Sequence, residues 1–291
     1  MTIADALHKY TSKLKQDGID EAAGEAKVLL CYALNLNSAQ LFSQVDRILT
    51  PSEITSFEIL VDRRLKREPT AYITGHKEFF GLDIYVDDRV LIPRPETEVL
   101  IEEALKFGLA WSERNEKAPL IADIGTGSGA IAISLALNLP ASHIYAVDIS
   151  EKAMEVAAIN VERYRLKDNI TLIHGNLLEQ ISGKMALIVA NLPYIAEPEA
   201  SYLQAEIAKH EPGIALKGGV NGTEVIQSLV SQANDKVAAG GAILLEIGAG
   251  QEQEITRLIR DCMPGSEIEL VKDLSGIARV IKIDMKGSPR L

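Results

Sequence analysis

The chain is poor in several residue types, and each shortage excludes something. Among 291 residues there are two cysteines and one tryptophan, and aromatic side chains make up 5%. Cys31 and Cys262 lie far apart in apolar surroundings. They do not form a disulfide framework and read as buried free thiols of a reducing compartment, so a cytoplasmic protein is expected. No apolar run approaches the ~20 residues of a membrane span. The opening Met1-Thr2-Ile3-Ala4-Asp5 lacks the basic-then-apolar pattern of a secretory leader. Basic residues are outnumbered, 30 Lys and Arg against 41 Asp and Glu, for a net charge of −11. A protein whose main work is gripping nucleic acid needs clustered basic residues, so that class is disfavoured. The histidines His8, His76, His143, His174 and His210 are scattered without ligand spacing, and no metal centre is expected.

What is present is an ordinary globular composition, 47% hydrophobic and 24% charged, in a length that suits one large domain or two. The charge is uneven. Residues 1–78 carry 10 basic and 11 acidic side chains, so nearly all the net charge lies beyond them. An acidic body suits a basic partner or serves solubility alone.

Periodicity divides the chain in the same place. The first ~70 residues read as helical, with Ala4, Leu7 and Leu14, then Ala22, Ala26, Leu29, Leu30 and Ala33, near helical spacing. Thr50-Pro51-Ser52-Glu53 opens a further helix, with Thr50 as cap, Pro51 in the first helical position and Glu53 three residues after the cap. Arg63, Arg64, Lys66 and Arg67 crowd its end, where cations suit a helix C-terminus and where a docking patch is the alternative. Glu68-Pro69 is expected to stop the helices. Residues 78–90 form short β-like runs with Gly81 as a hairpin turn, and Pro95 starts a helix through Leu105. From Leu120 strands and helices alternate. Strands are expected at 120–124, 143–147, 170–174, 186–190, 241–247, 266–272 and 278–284, and helices at 128–138, 150–164, 222–237 and 251–261. Such alternation means a mostly parallel sheet covered on both faces. Only a short turn separates the last two strands, so they should pair as an antiparallel hairpin at one edge.

Three strand ends carry chemistry. Gly125-Thr126-Gly127-Ser128-Gly129 lies at a strand-to-helix turn, where glycine lets a ligand approach the main chain. It lacks the Gly-Lys-Ser/Thr ending of a P-loop, and its third glycine comes one position too early for Gly-x-Gly-x-x-Gly. That spacing favours S-adenosyl-L-methionine over a dinucleotide; a tight turn without ligand is the bland alternative. Asp148, at the end of the next strand, suits both ribose hydroxyls or caps the following helix, for which Ser150 is the better cap. Asn176 and Leu177 follow the third strand, where they would border adenine; Asn176 equally suits a polar turn. Asn191-Leu192-Pro193-Tyr194 ends the fourth strand. In the order 3-2-1-4-5, strands 1 and 4 are neighbours, which brings this tetrapeptide to the glycine loop. A planar NH₂ on a carbonyl or aromatic ring is a poor nucleophile, because its lone pair is delocalised. The Asn191 side-chain oxygen and the Leu192 carbonyl can grip its two hydrogens, and Tyr194 can stack on the flat group. Pro193 holds Leu192 extended. Alone, the tetrapeptide reads as a strand-end turn; with the glycine loop and Asp148 it reads as a methyl-transfer site.

With these residues in place the chain resembles the release-factor glutamine methyltransferases (the HemK/PrmC family). The matching segments are Glu68-Pro69 to Gly75, Phe79-x-Gly81-Leu82, Val90 to Glu98, Asp123 to Ala132, Ala146 to Ser150, Asn191-x-Pro193-Tyr194-Ile195, Glu211-Pro212-x-x-Ala215-Leu216 and Leu245 to Gly248. Ile92-Pro93-Arg94-Pro95-Glu96-Thr97-Glu98 is more specific to the family than the glycine loop. The resemblance implies an α/β fold: a doubly wound, mostly parallel seven-stranded sheet of the Rossmann-like class I methyltransferase kind. It implies a helical substrate-recognition domain at 1–75, a β-hairpin linker at 76–94 and a methyltransferase domain at 95–291. It also implies S-adenosyl-L-methionine as methyl donor, leaving S-adenosyl-L-homocysteine, and class 1 peptide-chain release factors as partners; from charge and composition no direct nucleic-acid or membrane partner is expected. The acceptor would be the amide nitrogen of the glutamine in their Gly-Gly-Gln loop, which acts in translation termination. Gly125 to Gly129, Asp148, Asn176, Leu177 and Asn191 would hold the cofactor, and Asn191 to Tyr194 the glutamine. Three positions depart from the pattern: Leu192 stands for a proline, Leu177 for an aromatic residue, and Ile277 where a charge is expected. Two other functions fit the same residues, an adenine-N6 methyltransferase of DNA or RNA and a non-catalytic S-adenosylmethionine-binding protein. Transfer would be direct and in line; His210 beside Glu211 is discounted as a general base.

Overall fold

The structure, a computed structural model, describes residues 1–285. In chain order the helices are α1 (Ile3–Gln16), α2 (Ala22–Leu34), α3 (Ser38–Ser43), α4 (Pro51–Leu65), α5 (Thr70–Thr74), α6 (Glu98–Asn115), α7 (Ala130–Asn138), α8 (Glu151–Arg163), α9 (Ala205–His210), α10 (Glu224–Ala233) and α11 (Glu252–Cys262). The strands are β1 (His76–Phe79), β2 (Leu82–Tyr85), β3 (Leu120–Ile124), β4 (His143–Asp148), β5 (Ile170–His174), β6 (Met185–Ala190), β7 (Ile195–Ala196), β8 (Lys217–Gly219), β9 (Val237–Glu246), β10 (Glu267–Lys272) and β11 (Ala278–Asp284). Contacts divide the chain into two compact units, one of Met1–His76 with Gln204–His210, the other of Lys77–Leu203 with the chain from Glu211 onward.

The first unit is helical because its caps and apolar stripes agree. Thr50 caps α4 as its sequence requires: its N–H donates to Glu53 Oε2 at 2.8 Å while its Oγ1 accepts the Glu53 N–H. The same reciprocal box starts α1 at Thr2 and Asp5, and α3 at Asn37 and Gln40. The stripes of α1, α2 and α4 close one core, in which Ile3, Tyr10, Leu14, Leu30, Phe57 and Val61 are buried. The basic end of α4 is an ion-pair network. Arg64 is buried against Glu25 and meets Glu206 at 3.0 Å, Arg63 meets Glu68 at 2.5 Å, and Arg67 meets Glu206 at 3.3 Å. Glu68-Pro69 does not stop the helices. α4 has already ended at Leu65, with Arg67 left-handed at φ 70°; Pro69 is the N-cap of α5, where its missing N–H costs nothing, and Gly75 makes the stop in the left-handed region at φ 72°. The thiols also differ from expectation. Cys31 and Cys262 are free but only half-buried, at the margins of their helices' apolar faces, because Leu29, Leu30 and Ile259 take the core positions.

The second unit is built on a seven-stranded sheet in the order β10-β11-β9-β6-β3-β4-β5. Read from β3 as strand one, the parallel part runs 3-2-1-4-5, as expected. β10 pairs antiparallel with β11, which is itself antiparallel to β9, so the closing hairpin lies at the edge. β6 is buried at every position, as a central strand covered on both faces must be. Alternation along β3 sorts the two layers. Ala122 and Ile124 face a core with Leu229, Val230, Ile255 and Ile259 of α10 and α11. Asp123 points the other way and accepts the Ala132 N–H of α7 at 3.2 Å. β1 and β2 pair through a turn in which both Phe80 (φ 51°) and Gly81 (φ 74°) are left-handed. Among the described residues no helix is long and apolar enough to cross a membrane.

Candidate active site

The carboxyl ends of β3, β4, β5 and β6 open on one cavity of about 470 Å³, a size suited to a small-molecule cofactor. Parallel pairing explains the convergence. Ile124 is opposite Ala190, and Ile124 is also opposite Val147, so the residues that follow these three strands emerge side by side. Gly125, Gly127, Asp148, Asn176, Leu177, Asn191, Leu192 and Pro193 all lie on the wall. Thr126, Ser128, Gly129 and Tyr194 do not. Thr126 donates to buried Asp123 at 2.7 Å, the Ser128 carbonyl accepts from Asn160 at 2.9 Å, and Gly129 opens α7, so these three brace the loop from behind.

The glycine loop and the Asn191 loop touch. Gly125 has φ +75°, and a Cβ added there would lie 3.0 Å from Leu192 Cδ2 and 3.4 Å from the Asn191 carbonyl oxygen. Only glycine supplies both that angle and that clearance. Leu192 in place of a proline now has a physical account. Its side chain is buried in the main core, so packing holds a loop that ring stiffness would otherwise hold. Leu177 sits in the same core at φ 52° and offers the cavity an aliphatic wall. Asn176 donates to Glu179 at 2.6 Å, which is a turn contact.

Asp148 accepts the N–H groups of Gly127 and Ser150, each at 2.9 Å, and thereby fastens the glycine loop to its own strand end. Ser150, not Asp148, caps α8 through the Ala153 N–H. Burial raises the Asp148 carboxyl above the ordinary range against the pull of these donors. Each of its oxygens retains acceptor capacity for a ligand hydroxyl.

The segment Ile92–Glu98 straps the far side. Arg94 pairs with buried Glu211 at 2.5 Å, just before the wall residues Pro212 and Gly213. Thr97 Oγ1 accepts from Asn191 Nδ2 at 3.0 Å. Glu98 accepts the Phe80 N–H at 3.0 Å. Behind Asn191 lies Glu246, the last residue of β9, a buried carboxyl beside both Thr97 and Asn191. Tyr194 is half-buried, and its hydroxyl is raised by desolvation and then by the nearby Glu246 charge. Its carbonyl is held by Gln251 Nε2 at 2.9 Å. Thr97 and Glu246 are site residues that strand-end reasoning passes over. Both fall in segments that carry the family resemblance, but only tertiary pairing joins them to Asn191. His210 contacts the Lys66 carbonyl and is not on the cavity wall. Among the described residues no group of three or more His, Cys, Asp or Glu is arranged to hold a metal.

Two carboxyls in this unit are pushed up to about 7 by burial, Asp123 and Glu246. A folded-state value above the unfolded one stabilises the fold at low pH, below about 4, and that contribution is lost as pH rises through about 7. The thermal midpoint is therefore expected to fall as pH goes from 5 to 8, and Asp123→Asn should flatten the slope. Calorimetric scans across that range check it; a midpoint that climbs would contradict the assignment.

Comparison with known proteins agrees with the geometry. The PrmC N-terminal domain model matches residues 5–75, and the model of ribosomal protein L11 methyltransferase (PrmA) matches residues 105–216. The chain is 35% identical to the release factor glutamine methyltransferase of Bradyrhizobium diazoefficiens, over 96% of this chain and 94% of that one. It is 38% identical to a bifunctional methyltransferase of Rickettsia felis over 96% of this chain, but it spans only 57% of that longer protein. In structure it is similar to a methyltransferase from Pyrococcus furiosus, with TM-score 0.51, 18% identity, and coverage of 81% of this chain and 99% of that one. The alternatives of a nucleic-acid enzyme and a non-catalytic binder lose their ground here, and the chain belongs to the release factor glutamine methyltransferase family.

Proposed function

We propose that this cytoplasmic protein transfers a methyl group from S-adenosyl-L-methionine to the side-chain amide nitrogen of the glutamine in the Gly-Gly-Gln loop of class 1 release factors. The observation that carries the reading is the single cavity whose wall holds Gly125, Asp148 and Asn191 together. The residues fit the cofactor. Gly125 and Gly127 leave the main chain bare, Asp148 has acceptor capacity left for ribose hydroxyls, and the aliphatic Leu177 with Asn176 offers a surface for adenine. A pyrophosphate finds less support, because Arg89 on the wall already pairs with Asp87 and Glu155, each at 2.6 Å.

When bound, the sulfonium supplies an already activated methyl carbon. The protein's part is to aim the weak amide nucleophile at it. The Asn191 NH₂ is occupied by Thr97, so its Oδ1 is the end left to accept from the glutamine amide. The Leu192 carbonyl takes the second hydrogen, and Tyr194, which packs on the core behind the wall, steadies the loop. Holding reactants in line can contribute up to roughly 7–11 kcal/mol. The helices of residues 1–75 recognise the release factor, the hairpin region 76–94 links, and residues from 95 onward hold the chemistry.

Incubation of the protein with S-adenosyl-L-methionine and a class 1 release factor should add one methyl to the peptide containing Gly-Gly-Gln, read by tandem mass spectrometry. A methyl placed on another peptide, or labelled donor found only in added DNA or RNA, would overturn the reading.

A further inference from the structure

We propose that Glu246 is a positioning residue for the methyl transfer: through the Thr97 hydroxyl it fixes which end of the Asn191 carboxamide faces the acceptor. The inference rests on the acceptor-gripping role given to Asn191 above.

An asparagine carboxamide is nearly symmetric in shape, and its orientation is set by its hydrogen bonds. Only one orientation leaves an oxygen for the acceptor amide; the other would turn an NH₂ toward another NH₂. Asn191 Nδ2 donates to Thr97 Oγ1 at 3.0 Å. A hydroxyl that accepts there has its own proton free to donate. The buried acceptor beside both Thr97 and Asn191 is the Glu246 carboxyl, and the relay makes it the acceptor of that proton. An ionised carboxylate accepts only, so the chain has one polarity: Asn191 donates to Thr97, and Thr97 donates to Glu246. A protonated Glu246 can donate to Thr97 instead. Thr97 can then donate to the Asn191 oxygen, and the carboxamide turns over.

The location makes this relay specific. Ala190 and Leu245 are register partners in β6 and β9, so Asn191 and Glu246 leave adjacent strand ends. Thr97 comes from the Ile92–Glu98 strap. Glu246 is 3% exposed, and its Oε2 has no hydrogen-bond partner. A buried carboxyl with an oxygen that no donor reaches is poised between charge states. The groups facing it are Glu96 from the strap, which disfavours its charge, Arg279 from β11, which favours it, and the Tyr194 hydroxyl from the Asn191 loop. Glu246 is pushed up to about 7, so its charge is lost on mild acidification.

The test uses the full chain, Thr97→Val, Thr97→Ser and Glu246→Gln. The first readout needs no substrate: the side-chain NH₂ resonances of Asn191, assigned by their loss in Asn191→Ala, followed by NMR from pH 5.5 to 8.5. They should titrate in the parent and in Thr97→Ser, lose most of that shift in Thr97→Val, where only the direct field of Glu246 remains, and lie flat in Glu246→Gln. The second is release-factor methylation. Thr97→Val should lower kcat roughly 10- to 100-fold with the KM for S-adenosyl-L-methionine within about twofold, Thr97→Ser should restore it, and Glu246→Gln should lose the acid limb of the pH profile. Resonances that do not titrate in the parent, or a titration that persists in Glu246→Gln, overturn the relay. A parent that leaves release factor unmethylated would count against the functional reading alone, and the resonances would still decide the orientation relay.

Discussion

Asn191→Ala is expected to lower kcat for glutamine methylation by roughly 10²- to 10³-fold while leaving S-adenosyl-L-methionine affinity within about threefold of the parent. The asymmetry follows from what the side chain touches. Its NH₂ is held by Thr97, and the residue lies on the cavity wall. The backbone of residue 191 already meets the glycine loop, with the Asn191 carbonyl oxygen beside Gly125, and alanine keeps that contact. The cofactor wall therefore survives and the acceptor grip does not. A planar amide nitrogen must rotate its delocalised electrons toward the methyl carbon, and losing one of two acceptors removes the restraint that makes that geometry probable. Isothermal titration with S-adenosyl-L-methionine and single-turnover methylation separate the two effects. If the variant methylates at nearly the parent rate, the role given to Asn191 is wrong.

Gly218→Ala carries the second large effect, on both stability and turnover. Gly218 lies in β8, which pairs with β7 immediately after the Asn191 loop. A Cβ at Gly218 would lie 2.5 Å from the Pro193 carbonyl oxygen and 2.5 Å from the Gly222 carbonyl oxygen. Both are backbone atoms, so no side chain can swing aside. Overpacking of this kind costs about 1–3 kcal/mol, a drop in thermal midpoint of roughly 2–12 °C for a unit of this size. Relief of the clash must move Pro193, and with it the loop that grips the acceptor, so kcat should fall at least about tenfold. Calorimetry and the methylation assay measure the two consequences. A variant with parental midpoint and rate would mean that β8 does not pin the loop.

Much of this architecture is legible in the chain. The capping box at Thr50, the strand positions from Leu120 and the edge hairpin follow from local chemistry and apolar period. The 3-2-1-4-5 order comes with the doubly wound fold class; right-handed strand-helix-strand connections alone also allow 2-1-3-4-5. Local signals fail where two explanations compete for one residue. Pro69 is a stop signal and also suits the entry to a helix, and the structure uses it as the latter, the N-cap of α5. Cys31 and Cys262 are apolar enough for a core, but larger aliphatic neighbours on the same helices take the buried positions. The basic run after Val61 is compatible with a docking patch until Glu25 and Glu206 are seen to neutralise it.

The sequence by itself determined the fold class, the strand ends that carry the Gly125, Asp148 and Asn191 loops, and the family, because each depends on the order of residues along one strand or turn. Only the tertiary structure decided what stands behind those loops: Thr97 and Glu246 behind Asn191, Glu211 under Arg94, and Gly218 against Pro193. These pairs are distant in the chain and carry no common spacing. Their partnership is set by sheet register and by the polar groups that burial leaves needing a partner, neither of which a linear pattern records.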